Sequence, residues 1–118
     1  MNRLTKRLAD LKKQNKKALV AYLVAGDPDI ESTLQLMNLF VESGVDVLEI
    51  GVPFTDPIAE GPIIQKAHDR ALEKNISLTA IFEMVQKFRE TDNTTPIVLM
   101  GYLNTFLSHK KIIEENKK

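Results

Sequence analysis

Three acidic side chains, set among prolines, are the residues of this sequence best suited to acid–base chemistry. Glu49 lies near the end of an apolar run, and Asp56 and Glu60 follow within the next few residues. Two carboxylates that face one substrate can divide the work when their surroundings separate their pKa values. One then transfers a proton while the other stays ionised and holds a polarised N–H group. The alternative is an acidic turn in which Asp56 caps backbone amides, and the residue pattern leaves both interpretations open.

The position of Glu49 is the most informative of the three. If side chains alternate along a strand over residues 45–51, Val47, Glu49 and Gly51 share one face. Desolvating a carboxylate there costs several kcal/mol unless something compensates. Glu49 also lies at the carboxyl end of the predicted strand, where parallel α/β proteins place their reactive groups. A structural carboxylate that reaches a lysine or a helix N-terminus is an equally good interpretation.

Apolar periodicity predicts the elements that must position these acids. The nearly continuous apolar run of residues 18–25 is typical of a strand buried on both faces, and a Gly-Asp-Pro turn closes it. Strands alternate with amphipathic helices, which predicts an α/β fold with parallel strands joined by right-handed crossovers. The predicted elements are a leading helix around Leu4, Leu8 and Leu11, strands over residues 18–25, 45–51 and 96–102, and helices over residues 30–43 (capped by Gly44), 62–74, from Ser77 onward, and 108–118.

Several other polar and aromatic residues allow both a functional and a structural interpretation. Tyr22 and Tyr102 lie near the ends of the first and third predicted strands, where each either faces an aromatic ligand or packs in the core. Asp27 belongs either to a pocket or to an ordinary turn. His68 and His109 lack the spacing of metal ligands, so we expect both to be surface histidines.

Composition excludes several functional classes. Sixteen Lys and Arg balance sixteen Asp and Glu, so no overall charge attracts nucleic acid or an anionic membrane. The absence of cysteine excludes disulfides, thiolate catalysis and zinc–thiolate sites. No P-loop, dinucleotide fingerprint or nucleophile elbow is present. The polar, basic first residues are unlike a secretory signal, and no apolar run reaches the roughly 20 residues that span a bilayer, so the expected location is the cytoplasm.

A longer motif carries a resemblance to a known family. Residues 48–65, which read LEIGVPFTDPIAEGPIIQ, closely resemble the signature of tryptophan synthase alpha subunits. Residues 25–28 (AGDP) and 100–104 (MGYLN) resemble two further segments of that family, and the similarity covers essentially the whole chain. The resemblance implies a TIM (β/α)8 barrel and a lyase of tryptophan biosynthesis. That enzyme splits indole-3-glycerol phosphate into indole and glyceraldehyde 3-phosphate by a retro-aldol step.

The same resemblance implies roles for individual residues. Glu49 would be the general acid/base that protonates the indole ring carbon where the bond breaks, and Glu60 would steady the indole N–H. Many relatives have aspartate at position 60; one more methylene moves the carboxylate by about an ångström, and such a misplacement can cost on the order of 100-fold in rate. The positions that would wall the indole pocket are Tyr22, Met100 and Tyr102, and those that would meet the beta subunit are Pro53, Asp56 and Asn104.

The resemblance also sets expectations for cofactors and for local departures from the family pattern. No metal or cofactor is expected in this chain, because pyridoxal phosphate belongs to the family's beta subunit. Thr55 replaces the usual serine, which is a mild change. Thr105 follows Asn104 where many relatives have proline, so we expect the next loop to run differently.

The length of the chain limits what the resemblance implies. A complete barrel has eight strands and takes about 250 residues, whereas the sequence has 118 residues and three predicted strands. We therefore expect residues 1–118 to form a single incomplete domain, inactive alone because the family's phosphate-gripping loops near strands seven and eight are missing. One alternative is a non-catalytic fragment that at most docks on the beta subunit. Another is a different phosphate-handling barrel enzyme, which the specific acidic-proline motif disfavours.

Overall fold

A three-stranded parallel sheet organises the chain in the computed structural model, which describes residues 2–53 and 61–102. The strands lie in the order β1 (Val20–Val24), β2 (Val47–Gly51) and β3 (Ile97–Met100). The helices are α1 (Arg3–Lys13), α2 (Ile30–Glu42), α3 (Gly61–Leu72) and α4 (Leu78–Arg89). The predicted order of elements and the parallel pairing are confirmed, and the helix predicted for residues 108–118 lies outside the described residues.

The helix starts follow from side chains that accept hydrogen bonds from otherwise unpaired backbone amides. Asn2 accepts from the Thr5 amide at the start of α1, and Asp29 accepts from the Ser32 amide at the start of α2. The predicted cap Ser77 is confirmed, since its Oγ accepts from the amide three residues later at the start of α4. Each such cap contributes about 1 kcal/mol to helix stability.

The hydrophobic core lies on one face of the sheet, against α2 and α4. Leu48 and Ile50 of β2 are fully buried and pack with Met37 of α2 and with Ile81 and Phe88 of α4. Each of these side chains contributes roughly 1.5–3 kcal/mol by leaving water. The alternation along β2 therefore turns Glu49 toward the opposite face.

The turn after β1 is held by close packing and by one buried hydroxyl. The Gly26 amide donates to Thr33 Oγ1 at 3.0 Å, and that hydroxyl donates to the Asp29 carbonyl at 2.9 Å. Gly26 has φ of 87°, and a Cβ at this position would overlap the side chain of Ile76. Only glycine fits here, so the carboxyl end of β1 is fixed against both α2 and the segment between α3 and α4.

A second turn fixes the entry to β3. The Asp92 carboxylate accepts hydrogen bonds from the amides of Thr94 and Thr95 at 3.0 and 2.9 Å, and from the Thr95 hydroxyl. Arg89 donates to the Thr95 carbonyl at 2.6 Å. Partial burial raises the pKa of Asp92, but the hydrogen bonds from Thr95 and Thr94 together outweigh it and leave the pKa below its ordinary value.

None of the helices within residues 2–53 and 61–102 combines the length and the apolar character that crossing a membrane requires.

Gly26→Ala is expected to destabilise the fold more than Gly44→Ala. Both glycines have positive φ, 87° and 104°, so each alanine carries the left-handed penalty of roughly 1–2 kcal/mol. Only the Cβ at position 26 also overlaps Ile76, whereas the one at position 44 meets no atom within 4 Å. Urea unfolding should therefore show a further loss of about 1–3 kcal/mol for Gly26→Ala. Equal losses would contradict the tight packing at Ile76.

Stability is expected to fall in acid partly through Asp92. Because its pKa is depressed in the folded state, its stabilising contribution is complete above the unfolded value of 3.8 and is lost as the pH falls through the folded value. Asp92→Asn should lower stability near neutral pH and flatten the acid limb of the unfolding free energy against pH. Glu83→Gln, at an exposed position on α4, is the matched control for the loss of one charge. If the acid limb of the Asp92→Asn curve matched that of the wild-type chain, Asp92 would not be a source of the acid sensitivity.

Candidate active site

The register of the sheet places a carboxylate beside a phenol on the face opposite the core. Tyr22, Glu49 and Val98 are aligned across β1, β2 and β3, and the next aligned row with the same orientation is formed by Val24, Gly51 and Met100. The predicted shared face of β2 is therefore confirmed. Both rows lie toward the carboxyl ends of the strands, which is where parallel α/β enzymes hold their substrates.

Glu49 is the only partly exposed residue of β2, since the other four are buried. The dry setting expected for its carboxylate is therefore met only in part by the described residues. Within residues 2–53 and 61–102, no lysine forms an ion pair with Glu49. The interpretation of Glu49 as a structural ion-pair partner thus gains no support there, and its carboxylate lies on an accessible face.

Tyr22, together with Val24, links this face to α3. It packs with Ile64, Ala67 and Ala71 of α3, and its hydroxyl oxygen lies 3.5 Å from Nε2 of His68. The expectation that His68 is a surface histidine was wrong, because only 2% of the residue is exposed. The missed signal was the spacing of residues 64, 67, 68 and 71, which places them on one face of a helix.

Gly51 provides the space that the Tyr22 ring occupies. A Cβ on Gly51 would overlap the Tyr22 hydroxyl and crowd its ring. The backbone of β2 and the phenol are therefore in closer contact than any other residue at position 51 would allow. Reasoning from the sequence placed Gly51 on the correct face but did not identify this role, because a glycine at a strand end is equally typical of an ordinary turn.

An ion pair fixes α3 over the end of β1. Arg70 donates to both carboxylate oxygens of Asp27, at 2.7 and 2.9 Å. The Asp27 side chain is largely shielded from solvent and that of Arg70 is about half exposed. The two-pronged geometry sets orientation as well as distance. Of the two interpretations of Asp27, the structure supports a turn residue whose side chain holds the neighbouring helix.

The remaining predicted site residues divide between the described and the undescribed parts of the chain. Met100, at the end of β3, is 42% exposed, and Tyr102 follows it with partial burial. Pro53, two residues after β2, is buried. Asp56, Glu60 and Asn104 lie outside the described residues, and so does His109. Within the described ranges, no three His, Asp or Glu side chains converge as a metal site would require.

Comparison with known proteins identifies the family. A family model described as the tryptophan synthase alpha chain matches residues 8–118. This chain belongs to that family. The tryptophan synthase alpha chain of Alkalilimnicola ehrlichii is 55% identical over 104 residues, which are 88% of this chain and 38% of that protein. The alpha chain of Neisseria meningitidis is 60% identical over 88 residues, 75% of this chain and 34% of that protein.

Solved structures of tryptophan synthase alpha chains share the fold. A crystal structure of the alpha subunit from Legionella pneumophila gives a TM-score of 0.90 at 51% identity and covers 92% of this chain and 42% of that one. A structure from work on the Pyrococcus furiosus tryptophan synthase α2β2 complex gives a TM-score of 0.71 at 43% identity. It covers 78% of this chain and 36% of that one. The chain thus spans about two fifths of the relatives that it matches. The expected fold, a partial (β/α)8 barrel with three parallel strands and flanking helices, is confirmed.

Gly51→Ala is expected to destabilise the fold through Tyr22. The new methyl group overlaps the phenol, and overpacking of this kind costs about 1–3 kcal/mol. Tyr22→Leu removes the overlapping atoms, so urea unfolding of the double variant should show a smaller loss than the two single losses added together. Additive losses would indicate that the two positions are independent, which would contradict the close contact described above.

Proposed function

We propose that this chain carries the acid–base part of a tryptophan synthase alpha-type lyase site. The reaction is the retro-aldol cleavage of indole-3-glycerol phosphate to indole and glyceraldehyde 3-phosphate. The observation that carries the proposal is Glu49, a partly exposed carboxylate on the open face of the sheet at the carboxyl end of β2. Membership of the tryptophan synthase alpha chain family supports the same conclusion.

In the proposed reaction, Glu49 protonates the indole ring carbon that carries the glycerol phosphate chain. Protonation turns the ring into an electron acceptor, so the bond to the side chain breaks. The carboxylate left on Glu49 accepts the proton of the adjacent hydroxyl, which becomes the aldehyde. Positive charge develops on the indole nitrogen during this step. A second carboxylate facing the N–H stabilises that charge, and electrostatic stabilisation of this kind is commonly the largest contribution to catalysis.

We propose Glu60 as that second carboxylate. It is bonded to Gly61, the first residue of α3, and α3 is held to β1 through Tyr22 and the Asp27–Arg70 ion pair. This attachment limits how far the carboxylate can lie from Glu49. Many family members have the shorter aspartate, so the fit of glutamate depends on a small adjustment of the loop. The alternative, an acidic turn in which Asp56 caps backbone amides, stays open.

Tyr22, Met100 and Tyr102 are proposed to wall the pocket for the indole ring. Tyr22 and Met100 extend from the same face as Glu49. Tyr22 is aligned with Glu49, and Met100 is aligned with Gly51 in the next row. An apolar wall beside a carboxylate suits a flat aromatic substrate whose only polar edge is one N–H. The chain contains about two fifths of its relatives' length, so we propose that binding of the substrate phosphate and full turnover require the remaining strands of the barrel.

The proposed partner is a tryptophan synthase beta subunit. The Pyrococcus furiosus relative was solved as an α2β2 complex, which supports this assignment by similarity. Pro53, Asp56 and Asn104 are the proposed contact positions, and pyridoxal phosphate is proposed to belong to the partner. If the chain binds that partner without cleaving substrate, the alternative of a docking fragment applies. The cytoplasmic location expected from the sequence stays a prediction.

Indole release separates the two functions. The purified chain is incubated with indole-3-glycerol phosphate and a beta subunit of the family, with and without the remaining barrel strands of a relative supplied as a second chain, and indole is measured. We expect Glu49→Gln to lower any release by about 100- to 10,000-fold, because amide nitrogen cannot replace a transferable proton. Glu83→Gln is the surface control and should leave the rate unchanged. Stimulation of the beta subunit without indole release, even when the remaining strands are supplied, would instead establish docking alone.

A further inference from the structure

A buried histidine that the proposed chemistry does not use lies beside the pocket. His68 of α3 is 2% exposed and its Nε2 approaches the Tyr22 hydroxyl oxygen to 3.5 Å. The Tyr22 ring that it approaches packs against the apolar cluster of Val24, Ala67 and Ala71. An imidazole in such surroundings is costly unless its nitrogens form hydrogen bonds. The phenol is within reach of one of them, with donor and acceptor roles set by the imidazole tautomer.

We propose that His68 is a positioning residue that holds the Tyr22 phenol beside Glu49 and so sets the depth of the aromatic pocket. This inference rests on the proposed function, since it concerns the pocket in which the indole ring would bind. Tyr22 is aligned with Glu49 across β1 and β2, and its ring lies over Gly51. The Tyr22 hydroxyl is therefore the group through which α3 positions one wall of the site.

The position of His68 is itself well fixed. Ala67 and Ala71 are small and buried, which lets α3 approach β1 closely. One turn beyond Ala67, Arg70 is clamped to Asp27 by two hydrogen bonds of 2.7 and 2.9 Å. Because α3 is anchored in this way, His68 has a fixed position from which it can hold the phenol. A merely space-filling side chain at position 68 would fill the same volume but would offer the phenol no polar contact.

At 3.5 Å the oxygen–nitrogen separation is at the long end for a hydrogen bond. The phenol is one wall of the proposed pocket, so we expect an aromatic ring bound against it to change this contact and with it the environment of the imidazole.

Nitrogen NMR of the imidazoles tests the contact without any need for turnover. The chain has two histidines, so His109→Asn assigns the signals. We expect Tyr22→Phe, which removes only the hydroxyl, to shift the His68 Nε2 signal and to leave the signals of His109 in place. Addition of indole should shift the same His68 signal in the wild-type chain and not in Tyr22→Phe. An unmoved His68 signal in Tyr22→Phe would overturn the proposal.

Indole affinity tests the consequence for the pocket. His68→Leu keeps the volume and removes the polar group, and we expect it to weaken indole binding about three- to tenfold. His68→Gln, whose amide reaches a similar point, should restore most of the loss. In the Tyr22→Phe background, His68→Leu should add nothing. Unchanged affinity in His68→Leu, or a full additional loss in the double variant, would refute the role of His68.

These two measurements distinguish failure of this inference from failure of the proposed function. Absence of indole release when the remaining strands are supplied, together with normal indole binding and the expected NMR shifts, would reject only the lyase. Absence of indole binding by the wild-type chain would reject the pocket itself and the positioning role with it. If circular dichroism shows that His68→Leu does not fold, the Tyr22→Phe variant still tests the positioning role, because it leaves α3 and its imidazole intact.

Discussion

The alternation of side chains along β2 is the constraint on which the rest of the structure depends. Leu48 and Ile50 are sealed against α2 and α4, so Glu49 between them must face the other way. A shift of the strand by one residue would bury the carboxylate among Met37 and Phe88 and expose the two largest apolar residues of the strand. The same register of β2 therefore both packs the core and places the proposed acid on the open face.

Helix α3 supports one wall of the proposed site beside Glu49. It lies against β1 through two alanines, a tyrosine–histidine contact and a two-pronged ion pair. These contacts differ in kind, since one excludes water, one joins two polar side chains and one joins opposite charges. Together they fix both the tilt and the rotation of the helix. The segment that carries the second proposed acid begins after β2 and ends at this helix, so both of its attachment points are constrained.

Much of the fold was predictable from the sequence, because the relevant signals are local. Apolar runs, helical spacing and the cap Ser77 predicted the described elements and their order, and the motif around Glu49 predicted the family. The buried environment of His68 was not predicted: its spacing with Ile64, Ala67 and Ala71 indicated a shared helical face, but which element covers that face depends on the tertiary arrangement. The close approach of Gly51 to Tyr22 was missed for the same reason: it joins two strands and has no signature in either segment alone.

The missing side chain of Gly51 has a consequence for how this protein changes over generations. Because the Tyr22 phenol fills the space where a β-carbon would stand, a larger residue on β2 is tolerated only after the ring on β1 has become smaller. The two positions are separated in the chain and yet are neighbours across the sheet. In descendants of this sequence they are expected to vary as a pair, with the change on β1 coming first.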